Sequence, residues 1–292
     1  MNKSIMANQK ILVTGANGQL GSELRALSES YPGYDFAFTD RQELSITDEA
    51  SVSNFFDAFQ PDFCINCAAY TAVDKAEDPA EKALVASLNA DAVGYLAKAC
   101  AKHNAKFIHI STDYVFDGNG TEPYKVDDIT RPVSMYGITK LEGEKNAASF
   151  TDAIIIRTAW VYSSYGKNFV KTMMKLMQER PQLNVVSDQY GTPTYAADLA
   201  AVIMKIIASG KWEPGIYHYT NEGKINWYEF AVAIKDIIHA DCIVNAIPSA
   251  DYPTPAKRPA CSVLDKSRIV QIYNISIPDW KKSLEICIKK LL

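Results

Sequence analysis

A glycine-rich turn near the N-terminus constrains the fold of this chain more than any other feature. Residues 10–14 are an apolar run typical of a buried strand, and residues 18–30 have the periodicity of a helix. The turn between them carries Gly15, Gly18 and Gly21 in the spacing Gly-x-x-Gly-x-x-Gly. Such glycines permit a tight turn, and the N-terminus of the following helix offers free N–H groups to a pyrophosphate. The pattern therefore predicts the opening unit of a dinucleotide-binding fold.

The end of the second predicted strand bears on the choice of cofactor. This strand covers residues 35–39 and is followed by Asp40 and Arg41. An acidic residue here can accept hydrogen bonds from the ribose hydroxyls of adenosine, which favours NADH. A guanidinium can instead bind the 2′-phosphate of NADPH. We therefore predict NADPH or NADH as the cofactor, and the sequence leaves the choice between them open.

Strands and helices alternate through the first half of the chain. The predicted strands are 10–14, 35–39, 62–67, 106–110 and 153–158, and the predicted helices lie near 18–30, 48–59, 80–103 and 134–148. This alternation predicts an α/β fold with a doubly wound parallel sheet, a Rossmann fold. Residues 1–160 are expected to form an NAD(P)-binding domain, with strands near 183–187 and 215–219 added to its sheet. Residues 161–292 are expected to form mainly a smaller, discontinuous C-terminal substrate-binding lobe.

Tyr136 and Lys140 are the strongest candidates for catalysis. Residues four apart share one face of a helix, so a phenol and an ammonium would face one cleft. A nearby cation favours the phenolate and lowers the pKa of the phenol, which helps the pair to move a proton to or from a carbonyl oxygen. The polar segments 15–21, 68–71, 111–118 and 158–162 each follow a predicted strand, as does Asp40. In a doubly wound sheet these segments meet where ligands bind.

Composition and charge exclude several classes of protein. The formal net charge of −4 over 292 residues gives no support for nucleic-acid binding. Residues 1–9 lack the features of a signal peptide and are expected to be a frayed tail, and the apolar region 196–209 is too short to span a bilayer. Cys64 and Cys67 lie in a predicted strand and would point to opposite faces as buried, inert thiols. No metal site is predicted, no membrane partner is expected, and the expected compartment is the cytoplasm.

Four motifs together resemble the extended short-chain dehydrogenase/reductase family, whose members act mostly on nucleotide sugars. They are Gly15-x-x-Gly18-x-x-Gly21, Asn66-Cys67-Ala68-Ala69, Ser111-Thr112-Asp113 and Tyr136-x-x-x-Lys140. Further motifs resemble the members that reduce dTDP-linked 4-keto sugars. These are the run from Ser111 to Gly118, Asp188-Gln189-x-Gly191-x-Pro193-Thr194, and Arg258-Pro259-x-x-Ser262-x-Leu264. The resemblance covers nearly the whole chain.

The resemblance implies a reaction and a set of site residues. A 4-keto sugar linked to dTDP would be reduced by NADPH or NADH, in the synthesis of surface polysaccharide, by a monomer or homodimer. Tyr136 would donate the proton, Lys140 would hold the nicotinamide ribose and lower the Tyr136 pKa, and Thr112 would bond the reacting oxygen. Asp113 and Trp160 would join Thr112 in contacting the substrate. The cofactor would be lined by Gly15, Gly18, Gln19, Leu20, Gly21, Asp40, Arg41, Ala69, Tyr70, Thr71, Tyr136 and Lys140.

Two other functions remain open at this point. A 4-epimerase or 4,6-dehydratase of the same family would recycle the hydride, although Asp113 is followed by Tyr114 where dehydratases carry a second acid. A non-catalytic NAD(P)-binding regulatory subunit would have no chemical need for Thr112, Tyr136 and Lys140 together. Arg258 could recognise a diphosphate or could be a simple surface charge.

Overall fold

Twelve strands and ten α-helices make up the described part of the chain, residues 8–292 of a computed structural model. Residues 1–7, most of the predicted N-terminal tail, lie outside the described residues. The strands are β1 (Gln9–Thr14), β2 (Tyr34–Thr39), β3 (Phe63–Asn66), β4 (Lys106–Thr112), β5 (Ile154–Thr158), β6 (Val161–Tyr162), β7 (Gln182–Val186), β8 (Tyr190–Gly191), β9 (Thr194–Tyr195), β10 (Gly215–His218), β11 (Ile225–Asn226) and β12 (Ile243–Ile247). The helices are α1 (Gln19–Ser28), α2 (Glu49–Phe59), α3 (Lys82–Ala86), α4 (Ala92–His103), α5 (Met135–Phe150), α6 (Phe169–Glu179), α7 (Ala196–Ala208), α8 (Trp227–Ile238), α9 (Ser267–Tyr273) and α10 (Trp280–Lys289).

A six-stranded sheet lies at the centre of the fold, in the order β2-β1-β3-β4-β5-β10. Every neighbouring pair of strands in it is parallel. The chain winds outward in one direction from β1 to β2 and in the other from β3 to β10, so the order reverses between β1 and β3. Ligands of doubly wound sheets bind at such a reversal, beyond the carboxyl ends of the strands. The predicted α/β architecture is confirmed.

Helices cover both faces of this sheet and bury two apolar cores. On one face α1, α7 and α9 enclose a cluster that includes Ile11, Ile65 and Ile203. On the other face α2, α4 and α5 enclose a cluster that includes Leu12, Phe56 and Phe107. Ile11 and Leu12 are adjacent in β1 and face opposite cores, as alternation along a strand requires. A continuous apolar strand is therefore buried on both sides.

A third core lies among the later elements, and it corrects one prediction. The strand predicted near 183–187 was expected in the central sheet, but β7 pairs in parallel with β12 in a separate two-stranded sheet. In β7 the buried residues Leu183 and Val185 alternate with more exposed neighbours, whereas β5 is buried throughout. Such alternation fits a sheet with one solvated face. The strand near 215–219 does join the central sheet, as β10.

The helix predicted near 80–103 is interrupted. A one-turn π-helix at Ser87–Asp91 separates α3 from α4. Its backbone lies against Gly143 of α5, where an added Cβ would stand 2.1 Å from the carbonyl oxygen of Asn89. The interruption and the glycine thus allow the two helices to approach closely. Among residues 8–292, no helix combines the length and the apolar content needed to cross a membrane.

Candidate active site

The glycine-rich turn and the segment after β3 meet at the reversal of strand order. Gly15 has a φ of +66°, and a Cβ there would lie 2.6 Å from the backbone nitrogen of Ala68. Only glycine fits both constraints. The following helix α1 begins after Gly18 with no side-chain cap. The close backbone approach and the uncapped helix start are the features by which such turns hold a pyrophosphate, so this turn fits a dinucleotide.

A cleft of about 620 Å³ opens beside this turn and brings together most of the predicted site residues. Those that line it are Gly18, Gln19, Leu20, Ala69, Thr71, Thr112, Asp113, Tyr136, Lys140 and Trp160. Five predicted cofactor residues are not part of the lining: Gly15, Gly21, Asp40, Arg41 and Tyr70. Gly15 and Gly21 belong to the glycine-rich turn itself, and Asp40 and Arg41 directly follow the end of β2. The Tyr70 hydroxyl donates to Glu81 Oε2 at 3.0 Å.

Tyr136 lies in the first turn of α5, and Thr112 ends β4. Ser134 caps α5 by accepting a hydrogen bond from the N–H of Gly137 at 3.2 Å. Burial raises the pKa of Tyr136 to about 12, and a hydrogen bond with the Thr112 side chain opposes the rise. The direction is opposite to the sequence-based expectation because the phenol is desolvated and the negative charge of Asp113 adds to the rise. Tyr136 therefore holds its proton at neutral pH.

Lys140 lies one helical turn beyond Tyr136 and is only 2% exposed. Its Nζ donates to the carbonyl oxygen of Ile110 at 2.6 Å and lies 3.4 Å from His109 Nε2. Burial lowers the pKa of Lys140 to about 8, against opposing attractions from Glu144 and Cys67. Its ammonium is therefore only marginally favoured in a neutral solution.

Asp113 and Trp160 both line the cleft. Thr112 Oγ1 donates to Asp113 Oδ1 at 3.0 Å, and burial raises the pKa of Asp113 to about 6 despite bonds from Ser262 and Thr112. Trp160 has a φ of +49°, a strained conformation for a bulky residue. Its indole stacks on Trp227 with ring centroids 3.5 Å apart. Strain of this kind persists where the surroundings enforce it, most often at functional sites.

The two residues that bear on cofactor choice differ in how firmly they are held. The carboxylate of Asp40 accepts hydrogen bonds from Asn17 Nδ2 at 2.5 Å and from the N–H of Gln42 at 2.7 Å. Asn17 belongs to the glycine-rich turn, so this bond holds Asp40 against that turn. Arg41 is exposed. Both residues can therefore influence the choice between NADH and NADPH.

Sequence reasoning missed several residues of the cleft. Asn168 Nδ2 donates to Gln19 Oε1 at 3.0 Å and thereby ties the glycine-rich turn to the segment before α6. Lys167 and Trp227 also line the cleft, as does Cys67, which is half-buried and not fully buried as expected. The sequence held one signal for Asn168, because an asparagine directly before an apolar helical pattern is a typical N-cap, and Asn168 caps α6. Within residues 8–292, no group of three His, Cys, Asp or Glu side chains could hold a metal ion.

The residue Arg258, left open above, is engaged in an ion pair. Its Nη1 and Nη2 donate to Asp74 Oδ1 and Oδ2 at 3.0 and 2.7 Å. The carboxylate of Asp74 also accepts from the N–H of Ala256 at 3.2 Å. Asp74 follows Val73, which lines the cleft, so this pair ties the segment of Arg258 to the edge of the cleft.

The fold and the site define an NAD(P)-dependent oxidoreductase of the Rossmann type. Comparison with known proteins makes this specific. The family model described as the RmlD substrate binding domain matches residues 9–292. The dTDP-4-dehydrorhamnose reductase of Aggregatibacter actinomycetemcomitans is 44% identical over 287 residues, which cover 94% of this chain and 97% of the relative.

Solved structures agree with this assignment. A dTDP-4-dehydrorhamnose reductase from Clostridium acetobutylicum superimposes with a TM-score of 0.92 at 41% identity, over 97% of this chain and 99% of the other. The Bacillus anthracis enzyme in complex with NADP gives a TM-score of 0.92 at 35% identity, over 97% and 99% of the two chains. The chain belongs to the family of the dTDP-4-dehydrorhamnose reductases, and the resemblance read from the sequence is confirmed.

Proposed function

We propose that this protein reduces the 4-keto group of dTDP-4-dehydro-L-rhamnose to give dTDP-L-rhamnose, with NADPH or NADH as the reductant, for the synthesis of surface polysaccharide. The observation that carries the proposal is the meeting of Thr112, Tyr136 and Lys140 in one cleft, beside a turn that fits a dinucleotide. The family of the chain supports the choice of substrate.

In this proposal one side of the cleft binds the cofactor and the other binds the substrate. Residues 1–160, with β10, hold the cofactor, and residues 161–292 supply most of the substrate side, including Trp227. The cofactor residues are Gly15, Gly18, Gln19, Leu20, Gly21, Asp40, Arg41, Ala69, Tyr70, Thr71, Tyr136 and Lys140. Asp113 and Trp160 contact the sugar nucleotide. The bound nicotinamide supplies a hydride.

The chain itself supplies the proton and holds the reacting oxygen. Tyr136, whose pKa burial raises to about 12, is protonated at neutral pH and can donate to the carbonyl oxygen as negative charge develops there. The hydroxyl of Thr112 can donate to the same oxygen. Lys140, when charged, stabilises the phenolate that remains.

The cellular setting is proposed on narrower grounds. All six cysteines are free, as is usual in a reducing compartment, and this supports a cytoplasmic location. The proposed partner is the sugar nucleotide alone, bound by a monomer or homodimer.

Purified protein mixed with NADPH and dTDP-4-dehydro-L-rhamnose tests the proposal. We expect stoichiometric loss of the absorbance of the reduced nicotinamide. Conversion of the sugar without net loss would indicate an epimerase, and cofactor binding without conversion would indicate a regulatory subunit.

Tyr136→Phe tests the assignment of the proton donor. The turnover rate should fall by about 10²–10⁴-fold, the usual contribution of a general acid, with little change in NADPH affinity. Tyr95→Phe, a similar change on α4 outside the cleft, should leave the rate unchanged. An unaltered rate in Tyr136→Phe would remove Tyr136 from the mechanism.

A further inference from the structure

A buried chain of polar side chains runs beneath the cleft and ends at Lys140. Thr14 Oγ1 donates to Asn66 Oδ1 at 2.7 Å, and the N–H of Ala68 donates to the same oxygen at 3.1 Å. Asn66 Nδ2 lies 3.2 Å from His109 Nδ1, and His109 Nε2 lies 3.4 Å from Lys140 Nζ. Asn66 and His109 are completely buried. Neither side chain takes part in the proton or hydride transfer of the proposed reduction.

The backbone fixes the orientation of the Asn66 amide. The N–H of Ala68 can only donate, so the Asn66 atom that faces it must be the oxygen. The amide nitrogen consequently faces His109 and donates to Nδ1, which must be an unprotonated acceptor. Burial, the largest cause, holds the pKa of His109 far below its ordinary value, so the ring is neutral. A neutral imidazole with an unprotonated Nδ1 carries its hydrogen on Nε2.

The Nε2–H of His109 therefore faces the Nζ of Lys140. An ammonium group has three donors and no acceptor, whereas a neutral amine has a lone pair that can accept. The contact is thus favourable for the neutral amine and unfavourable for the ammonium. We propose that His109 is a positioning residue for the proposed reduction. Asn66 holds it as the Nε2–H tautomer, and its Nε2–H donates to the amine of Lys140. This hydrogen bond lowers the affinity of Lys140 for its proton. This inference rests on the proposed function.

The other groups around Lys140 act in the opposite direction or are already engaged. Glu144, on the same helix, favours the ammonium but is bound by Arg157 of β5 at 2.7 Å and by Ser111 of β4. Cys67, the residue after β3, also favours the charged form, and the carbonyl oxygen of Ile110 accepts from Nζ. Tyr136 and Asp113 lie on the cleft side. His109 is the group among these that presents a fixed donor to Nζ.

One measurement on the full-length, unmodified protein tests the geometry directly. The nitrogen chemical shifts of histidine distinguish its two neutral tautomers by NMR, and we expect Nε2–H at His109. An Nδ1–H tautomer would overturn the proposal. This measurement needs no variant, so it decides the matter even if substitutions at His109 prevent folding.

His109→Phe tests the effect on Lys140 while keeping a flat ring beside Phe107. In protein labelled with ¹³C at lysine Cε, the titration midpoint of Lys140 should rise by about 0.5–1 unit, as expected for removal of one hydrogen-bond donor. The matched control is His218→Phe, which replaces another buried histidine, on β10, whose Nδ1 lies 3.1 Å from the carbonyl oxygen of Asp265. That variant should leave the Lys140 midpoint unchanged.

Enzyme kinetics give a second readout. The alkaline limb of kcat/KM should move upward in His109→Phe by the same amount as the midpoint of Lys140, and not in His218→Phe. An unchanged midpoint in a folded, active His109→Phe protein would overturn this inference alone. An unmodified protein that reduces no keto sugar would overturn the proposed function, while the NMR results on His109 and Lys140 would still stand.

Discussion

Burial acts in opposite ways on the two residues that give the cleft its chemistry. It raises the pKa of Tyr136 and lowers that of Lys140, because desolvation disfavours whichever form is charged. The spacing of the two residues could be read from the sequence, but these shifts could not. The same holds for His109 and Asn66, whose contact depends on the pairing of β3 with β4, 43 residues apart in the chain.

Lys140→Met should separate stability from activity. The pKa of Lys140 is lowered to about 8 from 10.5, so below pH 8 the folded protein bears the full cost of the buried charge, and this cost is relieved between pH 8 and 10.5. Methionine removes the cost. We expect the free energy of unfolding at pH 7 to rise by about 1–2 kcal/mol, after allowing for the lost bond to Ile110.

Urea unfolding at pH 7 and pH 10 would check this, and the gain should shrink at the higher pH. Turnover and cofactor affinity should both fall, since Lys140 is proposed to stabilise the phenolate and hold the ribose. Lys175→Met, at an exposed position of α6, should change none of these quantities. A variant no more stable than the unmodified protein would show that the burial of Lys140 costs little.

The choice of cofactor also belongs at the scale of residues. Asp40 is fixed by Asn17 and is expected to favour NADH, whereas exposed Arg41 is expected to attract the 2′-phosphate of NADPH. Solvent screens both effects. We expect a preference within about tenfold, equivalent to roughly 1.4 kcal/mol. Arg41→Ala should weaken NADPH more than NADH, and Asp40→Ala should do the reverse, in steady-state kinetics with each cofactor. A hundredfold preference in the unmodified protein would contradict this view of the pocket edge.

At the scale of elements, the sequence predicted the strands that a local pattern defines. It did not predict features that depend on contacts between distant elements. The five strands of the first half were predictable because each is a short apolar run between turns. The sheet to which β7 belongs depends on a partner, β12, some 60 residues later, although its alternating burial was a hint. The π-helix between α3 and α4 had no local signal, because the contact that accompanies it is made with α5, far along the chain.

Gly143→Ala tests that approach. A Cβ at Gly143 would press on the carbonyl oxygen of Asn89, whose side chain accepts from the N–H of Tyr70 at 2.8 Å. We expect overpacking to lower the free energy of unfolding by about 1–3 kcal/mol, and cofactor affinity to fall as the segment of Tyr70 shifts.

The matched control is Gly94→Ala on α4. There the nearest atom, Asn146 Cβ, lies 3.7 Å away, an ordinary contact, so alanine should stabilise the helix by about 0.5–1 kcal/mol. Urea unfolding compares the two variants. Equal stabilities would show that α5 can move away from the π-helix without cost.

At the scale of the whole molecule, the ion pair of Arg258 with Asp74 links the late part of the chain to the cleft. Both side chains are partly exposed, at 25% and 41%, so the pair should contribute no more than about 1 kcal/mol to stability. Its effect on the site should be larger, because Ser262 of the same segment bonds Asp113.

Arg258→Ala and Asp74→Ala should therefore raise KM for the sugar nucleotide while changing kcat and the unfolding midpoint little. Glu49→Gln breaks an ion pair with Lys98, 3.1 Å long and remote from the cleft, and should leave KM unchanged. Steady-state kinetics with denaturant melts would separate these effects. A loss of stability without a change in KM would assign the pair a purely structural role.

The stacked indoles of Trp160 and Trp227 give the cleft an optical signal of its own. The two rings are in contact at the wall of the cleft. Tryptophan emits light in the range where the reduced nicotinamide absorbs, so excitation of this pair should pass to a reduced cofactor bound in the cleft. Fluorescence from the protein should dim when NADPH or NADH binds and recover as the hydride leaves. The intrinsic tryptophan fluorescence of the protein should thus report each turnover without any added dye.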